Sequence, residues 1–394
     1  MTSALNSFYD LRVSPYSYDF LTFLTLAEGC RIRRGLDQLN IFLIKGNRQN
    51  NLGRIDEDST FFSNVILPSL SLLPSINNFH FMEPKDISEN DTPYEYTYPF
   101  GYSAASPTHG YIGTERIISH LLLEKRAKFV VPENIEKLAK EYLSQFSGKV
   151  ISIGAREITR DDKNQERALH LPTWKRTIPA LMDRGYTPLI IRDTSKAFSQ
   201  KRLFDDVPEC PEASLHLHFR LAIYENVSHN FTKNNGPAEL LYFSNSVSTT
   251  FYTTDENTPS LCNKFLTLNH GMLKGCARPF TTVKSNFIWG RETSKNIVMT
   301  IENSTDHKYT DKLNTFISKE QVMLYLKISA GLLRNRLEFS PILEEDIKLA
   351  EFLSKAPQIY GLPIKEDIFQ FLKAAEGNKI PSGKVANLIS KCSL

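Results

Sequence analysis

Residues 149–157 read Lys-Val-Ile-Ser-Ile-Gly-Ala-Arg-Glu, and residues 186–193 read Tyr-Thr-Pro-Leu-Ile-Ile-Arg-Asp. The apolar runs at 150–153 and 187–191 are short buried strands by pattern. Between them, 172–184 has the pattern of an amphipathic helix, and Gly185 stops it. A strand–helix–strand unit with a connection of this length predicts a parallel pair. The polar pairs Arg156-Glu157 and Arg192-Asp193 then fall together at the carboxyl ends of neighbouring parallel strands. Ligands of open α/β sheets bind in the crevice beyond those ends, and arginine suits bidentate contact with phosphate. The same residue types also allow an internal pairing of Arg156 with Asp193 or Glu157.

Upstream, the chain keeps an α/β rhythm. A helix from about Asp19 carries Phe20, Phe23, Leu24, Ala27 and Cys30 at helical spacing, and 39–44 reads as a buried strand. A polar loop over 45–54, an apolar helix over 61–73 and a short strand at 79–82 follow. From 83 to 113 the pattern stops in a long loop with four prolines and five tyrosines (Tyr94, Tyr96, Tyr98, Tyr102, Tyr111). A loop of that length is a functional lid or a disordered segment, and the tyrosines favour an ordered or ligand-facing one. A helix from Pro132 stops at Gly148, which marks a domain boundary. Downstream, 215–224 fits a strand or a helix, with the helix preferred, ending near His229. Strands are expected at 249–253 and 286–289, and helices at 319–336, 344–355, 366–376 and 383–392. There is no internal repeat.

A length of 394 residues exceeds what one core usually organises, which points to two domains plus a terminal appendage. With 41% apolar and 23% charged residues the composition is that of a globular chain. Lys plus Arg number 47 against 44 Asp plus Glu, a balance that argues against a nucleic-acid-binding protein and leaves room for a local basic pocket. The N-terminus lacks the pattern of a secretory signal, and no run approaches the roughly 18 apolar residues of a bilayer span. Five scattered cysteines (Cys30, Cys210, Cys262, Cys276, Cys392) fit reduced thiols. These features predict a soluble, cytoplasmic protein, with peripheral association at a membrane left open.

Other segments offer candidate chemistry. Lys233-Asn234-Asn235-Gly236-Pro237 precedes a helical stretch at 238–242, so it is either an anion site at a helix start or a plain turn and cap. Lys274 and Arg278, in the glycine-containing loop 271–279, fit contact with a phosphate or sugar, or solvated loop charge. No dinucleotide glycine fingerprint, phosphate-loop lysine motif, serine elbow or His-Glu-Xaa-Xaa-His run occurs, which disfavours dehydrogenase, NTPase and metalloprotease functions. His216 and His218 lack an apparent third ligand. Asp56-Glu57-Asp58 spells the acid-X-acid pattern of metal-dependent sugar transferases, but in a polar loop rather than at a strand end.

Taken in order, several segments resemble a group of bacterial glycosyltransferase-like proteins of the GT-B type, found in surface-polysaccharide contexts and distantly similar to fucosyltransferase-like enzymes. They are Ser17-Tyr18-Asp19-Phe20-Leu21 with Ala27-Glu28; Leu67-Pro68 with Leu72-Leu73-Pro74-Ser75; 151–157; Gly185-Tyr186 into 189–193; 224–237; and 271–289. The resemblance implies an α/β, GT-B-like fold: an acceptor-side Rossmann-like domain over 1–147 facing a nucleotide-sugar-binding one over 148–318, with a helical tail over 319–394 packing back across both. It implies transfer of a sugar from a nucleotide-sugar donor to a saccharide or other surface-glycan acceptor.

In fucosyltransferase-like members an arginine just after the first strand of the C-terminal domain binds the donor diphosphate, and Arg156 occupies the matching place. The next loop departs from the pattern with Asp161, Asp162, Lys163 and Asn164, which leaves its second contact between Arg160 and Arg167. The implied donor set is Arg160, Arg192, Asp193, Asn234, Asn235, Gly236, Pro237, Lys274 and Arg278. Asp19 and Glu157 are candidate bases on the acceptor hydroxyl. With no metal cluster evident, Arg156, Lys274 and the Asn235-Gly236 backbone would stabilise the leaving diphosphate, with no metal and no other cofactor expected. Two alternatives accompany this reading: a non-catalytic GT-B-like binding or assembly protein whose tyrosine-rich loop and C-terminal helices contact a partner, and a metal-dependent transferase using Asp56 and Asp58.

Overall fold

The computed structural model describes residues 3–46, 60–87, 96–99, 102–112, 127–157, 165–257, 261–270, 272, 274–275, 277–278, 281 and 284–304. The expected helices beyond 318, the acidic triplet at 56–58 and Arg160 lie outside them. Two parallel sheets with flanking helices make the fold α/β, as a GT-B-like arrangement requires. The first contains β1 (Ala4–Asp10), β2 (Gln38–Ile44), β3 (Ile76–Met82) and β4 (Thr97–Tyr98) in the order β3-β2-β1-β4. The second contains β5 (Lys149–Ala155), β6 (Tyr186–Arg192), β7 (His229–Lys233), β8 (Ser248–Tyr252) and β9 (Ser285–Trp289) in the order β6-β5-β7-β8-β9. Every pairing in both is parallel. The chain leaves β5 to one side for β6 and returns on the other for β7, so the second sheet has a switch point between β5 and β7. By the same logic the first has one between β1 and β4.

Alternation along β1 builds two different faces. Leu5 and Tyr9 point to the core with Leu39, Ile41 and Leu43 of β2. The opposite face carries a ladder in which Asn78 donates to Asn40 and Asn40 to Asn6. Beside it runs a stack of rings, Tyr102 on Phe8, Phe8 on Phe42 and Phe42 on His80.

Helix α1 (Asp19–Arg33) is buried without interruption from Phe20 to Cys30. A helix buried on every face, here with Thr22, Thr25 and Glu28 included, has to be enclosed on all sides. One side packs on the first sheet, where the Phe20 and Phe23 rings meet Tyr9 at 4.9 and 5.0 Å. The other meets the second sheet's elements, since Thr22 donates to Glu239 at 2.8 Å. A single hydrophobic cluster consequently joins β1, β2 and α1 with Leu217, Leu221, Leu240 and Phe243. Residues 127–131 strap the two halves together: the Phe129 N–H donates to the Phe243 carbonyl at 2.8 Å, and the Val130 N–H to that of Leu72 at 2.9 Å.

The remaining helices are α2 (Glu133–Leu143), α3 (Leu171–Met182), α4 (Pro211–Leu215), α5 (Leu217–Asn226), α6 (Ala238–Tyr242), α7 (Asn263–His270) and α8 (Ser294–Ser304). Helix α3 ends at Gly185, whose φ of 79° is the left-handed conformation glycine adopts without cost. The ambiguous 215–224 segment is helical in α5, which puts His216 and His218 off any strand. Two strands, β1 and β7, had no apolar signature in the sequence, and β4 falls inside the stretch read as a loop. Cys30 and Cys210 are buried, and neither is in a disulfide. Among the described residues no helix is long and apolar enough to cross a membrane.

Candidate functional site

The carboxyl ends of β5, β6 and β7 bring polar side chains to one end of the second sheet, where Tyr18, just before α1, lies against Gly236. Strand β5 runs into Arg156 and Glu157, β6 into Arg192 and Asp193, and β7 into Lys233 and Asn234. These side chains divide into those already committed to one another and those that are not.

The committed ones form short ion pairs. Arg192 grips Glu157 in a two-pronged pair at 2.6 and 2.6 Å, and also donates to the Lys201 carbonyl at 2.8 Å and to Glu209 at 3.3 Å. Hydrogen bonding to Glu157 raises the Arg192 pKa. The sequence-derived base candidate Glu157 is thus the counter-ion of the donor candidate Arg192. Asp193 accepts the Glu157 N–H at 2.9 Å, and burial pushes its carboxyl above the ordinary aspartate range. Arg278 is buried with Glu239 at 2.5 Å and its guanidinium stacks 4.5 Å over the Tyr242 ring. Glu239 is the carboxylate that also takes the Thr22 hydroxyl, so Arg278 serves the junction between the two sheets.

Asn234 is different. It is 6% exposed at the end of β7, beside the switch point, yet among the described residues neither its amide oxygen nor its amide nitrogen has a hydrogen-bond partner. Burying such a group unpaired costs about 1–3 kcal/mol. Its neighbour Asn235 accepts the N–H of Ala238, the first residue of α6, at 3.2 Å. Gly236 is required by space: a Cβ there would stand 2.6 Å from Cδ2 of Tyr18, the residue before α1. Pro237 leads into α6. Arg156 stands at the end of β5, where Asp193 feels its charge. Lys274 is exposed. Asp19 sits in the first turn of α1, where its carboxylate accepts the Ser17 hydroxyl at 2.8 Å. The structure therefore brings Arg156, Glu157, Arg192, Asp193 and the 234–237 turn to one end of the second sheet, while Arg278 belongs to the sheet junction.

Three groups of functional type escaped the sequence. At the end of β1, the fully buried Asp10 accepts from Arg12 at 2.6 Å and from the Tyr102 hydroxyl at 2.8 Å. Burial, reinforced by Asp10, raises the Tyr102 pKa. At the ends of β7, β8 and β9, Lys233 donates to Glu292 and to Thr253, both at 3.0 Å. Glu292 in turn accepts the His170 N–H at 3.2 Å, at the start of α3. At the sheet junction, Tyr18 and Arg220 meet at 3.4 Å. The Asx-and-glycine turn could be found from sequence, but apart from Asp10 with Arg12 these pairs join residues tens to hundreds of positions apart and leave no local signature.

No protein-family model matches the chain, and no curated protein matches it. Solved structures with a similar fold include the glycosyl transferase family 9 protein from Veillonella parvula, at 10% identity and a TM-score of 0.44, covering 82% of this chain and 97% of that one. The E. coli ADP-heptose lipopolysaccharide heptosyltransferase II matches at 10% identity and 0.44, covering 77% of this chain and 98% of that one. TibC, the iron-containing dodecameric glycosyltransferase of enterotoxigenic E. coli, matches at 13% identity and 0.34, covering 84% of this chain and 77% of that one.

The last of these corrects one expectation. The sequence led to a transfer with no metal requirement, whereas TibC contains iron; metal independence is therefore not a property to assign to this chain. Among the described residues no group of three or more His, Cys, Asp or Glu side chains is placed to hold a metal ion, so no residue is assigned to one.

Proposed function

We propose that the chain is a glycosyltransferase that holds a nucleotide-sugar donor beyond the ends of β5 and β7 and passes the sugar to a saccharide acceptor approaching from the first sheet. One observation carries the reading. The switch point of the second sheet is flanked by Arg156 on one strand and by the buried, unpartnered Asn234 amide on the other. An amide with a free donor and a free acceptor fits a hydroxylated or phosphorylated ligand, and an arginine at the adjacent strand end fits its phosphates.

In the transfer, the bond from the anomeric carbon to the diphosphate oxygen breaks, and its electron pair leaves on the diphosphate. The acceptor oxygen bonds the same carbon and gives up its proton. Positive groups fixed where the leaving charge develops lower that barrier. Arg156 is the residue we assign to this, with Asn234 orienting the donor. Asp19 is the carboxylate on the first-sheet side and is our candidate for accepting the proton; Glu157 is held by Arg192.

The test is thermal shift and donor hydrolysis across a panel of nucleotide sugars. At least one nucleotide sugar should stabilise the protein, and Arg156→Ala and Asn234→Ala should each weaken that response about tenfold or more. No response to any nucleotide, with Arg156→Ala matching wild type, would remove the reading. The engagement of Glu157 with Arg192 favours a second reading, a GT-B-like binding protein without turnover. Nucleotide binding with neither hydrolysis nor transfer, in the presence of a range of saccharides and divalent metals, would establish it.

A further inference from the structure

Arg220, on the first turns of α5, is 2% exposed. Its Nε donates to the Ala213 carbonyl at 2.5 Å and one terminal nitrogen to the Arg192 carbonyl at 3.1 Å. Among the described residues the other terminal nitrogen reaches only the Tyr18 hydroxyl, at 3.4 Å. A guanidinium has five N–H donors, so these three contacts leave two protons unused. No carboxylate stands within 4.0 Å of it among the described residues, whereas Arg192, Arg278 and Lys233 all have one. A buried cation ordinarily has a paired anion, because desolvating a charge without one is costly.

The surroundings deepen the imbalance. The carboxylate that acts on Arg220 from a greater distance is Asp193, and Arg156 acts on that same carboxylate. Glu157, the other acid at this end of the sheet, is spent on Arg192. Burial moreover favours the neutral form of Asp193. Tyr18 completes the cluster from the first-sheet side, its ring against Gly236. Its oxygen accepts from Arg220, while its own proton goes to no acceptor among the described residues. A buried guanidinium with two spare donors, beside a tyrosine hydroxyl whose proton has no acceptor among the described residues, is a combination that suits an anion.

We infer that Arg220 and Tyr18 form an anion subsite at the sheet junction, where the unused guanidinium protons and the tyrosine hydroxyl would donate to one phosphate group. Taken with the nucleotide-sugar reading, on which this assignment of the anion rests, that group is one phosphate of the donor diphosphate. Tyr18 belongs to the first-sheet half, so both halves of the molecule would hold the same phosphate.

Calorimetric titration of the full chain with inorganic pyrophosphate tests this. Wild type should bind. Arg220→Lys, which keeps the charge and loses the fork, and Tyr18→Phe, which removes one donor, should each weaken binding about tenfold or more, since hydrogen bonds to charged groups are the strong ones. Tyr18→Phe keeps the ring against Gly236, and its melting temperature without ligand should stay near that of wild type; a purely structural tyrosine would move the melting temperature and leave the affinity unchanged. If wild type, Arg220→Lys and Tyr18→Phe bind pyrophosphate equally, or if wild type does not bind it, the subsite is overturned. The nucleotide-sugar panel with Arg156→Ala decides the broader reading separately: nucleotide binding lost in Arg156→Ala but kept in Tyr18→Phe would sink the subsite alone.

Discussion

Lys233→Met should be among the most damaging substitutions in the second sheet. The Lys233 Nζ and Glu292 Oε2 are 3.0 Å apart with side chains 2% and 1% exposed, so neither charge has water to fall back on. At 3.0 Å and an effective dielectric of about 20, Coulomb attraction is about 5 kcal/mol. Removing one partner of a buried pair costs about 3–5 kcal/mol, because the other stays behind as an uncompensated charge. Glu292→Gln in the same background removes that charge while its amide oxygen still accepts the His170 N–H. The double variant should therefore recover most of the loss, for a coupling of about 2 kcal/mol or more. Both tryptophans, Trp174 and Trp289, belong to this half of the chain, so intrinsic fluorescence in a urea titration reports on it directly. A cost below about 1 kcal/mol for the single variant, or a double variant as unstable as the sum of its parts, would refute the argument.

Two further substitutions follow from buried groups. Among the described residues His229 bonds only through Nε2, to Thr249 at 3.0 Å, and burial drives its pKa down to about 3. Its unfolded pKa is about 6.5, so its share of stability is full above that value and falls by about 1.4 kcal/mol per pH unit as pH drops toward the folded value. Wild type should lose about 2–3 kcal/mol more than His229→Gln between pH 7.0 and 4.5, and equal losses would contradict the assignment. Gly236→Ala drives a methyl into the Tyr18 ring. It should cost about 1–3 kcal/mol and weaken pyrophosphate binding with it, whereas unchanged stability would show that the 2.6 Å approach relaxes freely.

The parts of this fold that could be read from sequence are those whose pattern is local. The unit β5-α3-β6 announces itself through two apolar runs around an amphipathic helix, and its parallel sense indicates which strand ends face a ligand. Helix α1 is equally plain, its apolar spacing matching burial from Phe20 to Cys30. Strand β7 was invisible for a physical reason. It reads His-Asn-Phe-Thr-Lys, yet all five residues are buried: His229, Asn230 and Lys233 have partners on neighbouring elements, and Thr232 bonds the Lys233 carbonyl and Asn235. Asn230 takes the Ser152 hydroxyl and donates to the Tyr224 and Val247 carbonyls, His229 meets Thr249, and Lys233 meets Glu292. No periodicity marks a strand whose burial is satisfied by hydrogen bonds rather than by apolar area. The candidate site divides in the same way. Arg156 follows from a strand end and Asn234 from the Asn-Asn-Gly-Pro turn, but the commitment of Arg192 to Glu157, or the lack of a carboxylate beside Arg220, depends on which distant residues folding brings near.

The enclosure of α1 has a bearing on how the chain is made. Its outer side is covered by residues around 217–243, which emerge from the ribosome more than 180 positions after Cys30. Domains usually fold in order of synthesis. Here the first sheet cannot finish its core until most of the second has been translated, and until then Phe20, Phe23 and Leu24 have no permanent cover. A fragment cut at the expected boundary near Gly148 should leave that helix bare and prone to aggregate, so the two halves are better produced as one chain than as separate domains.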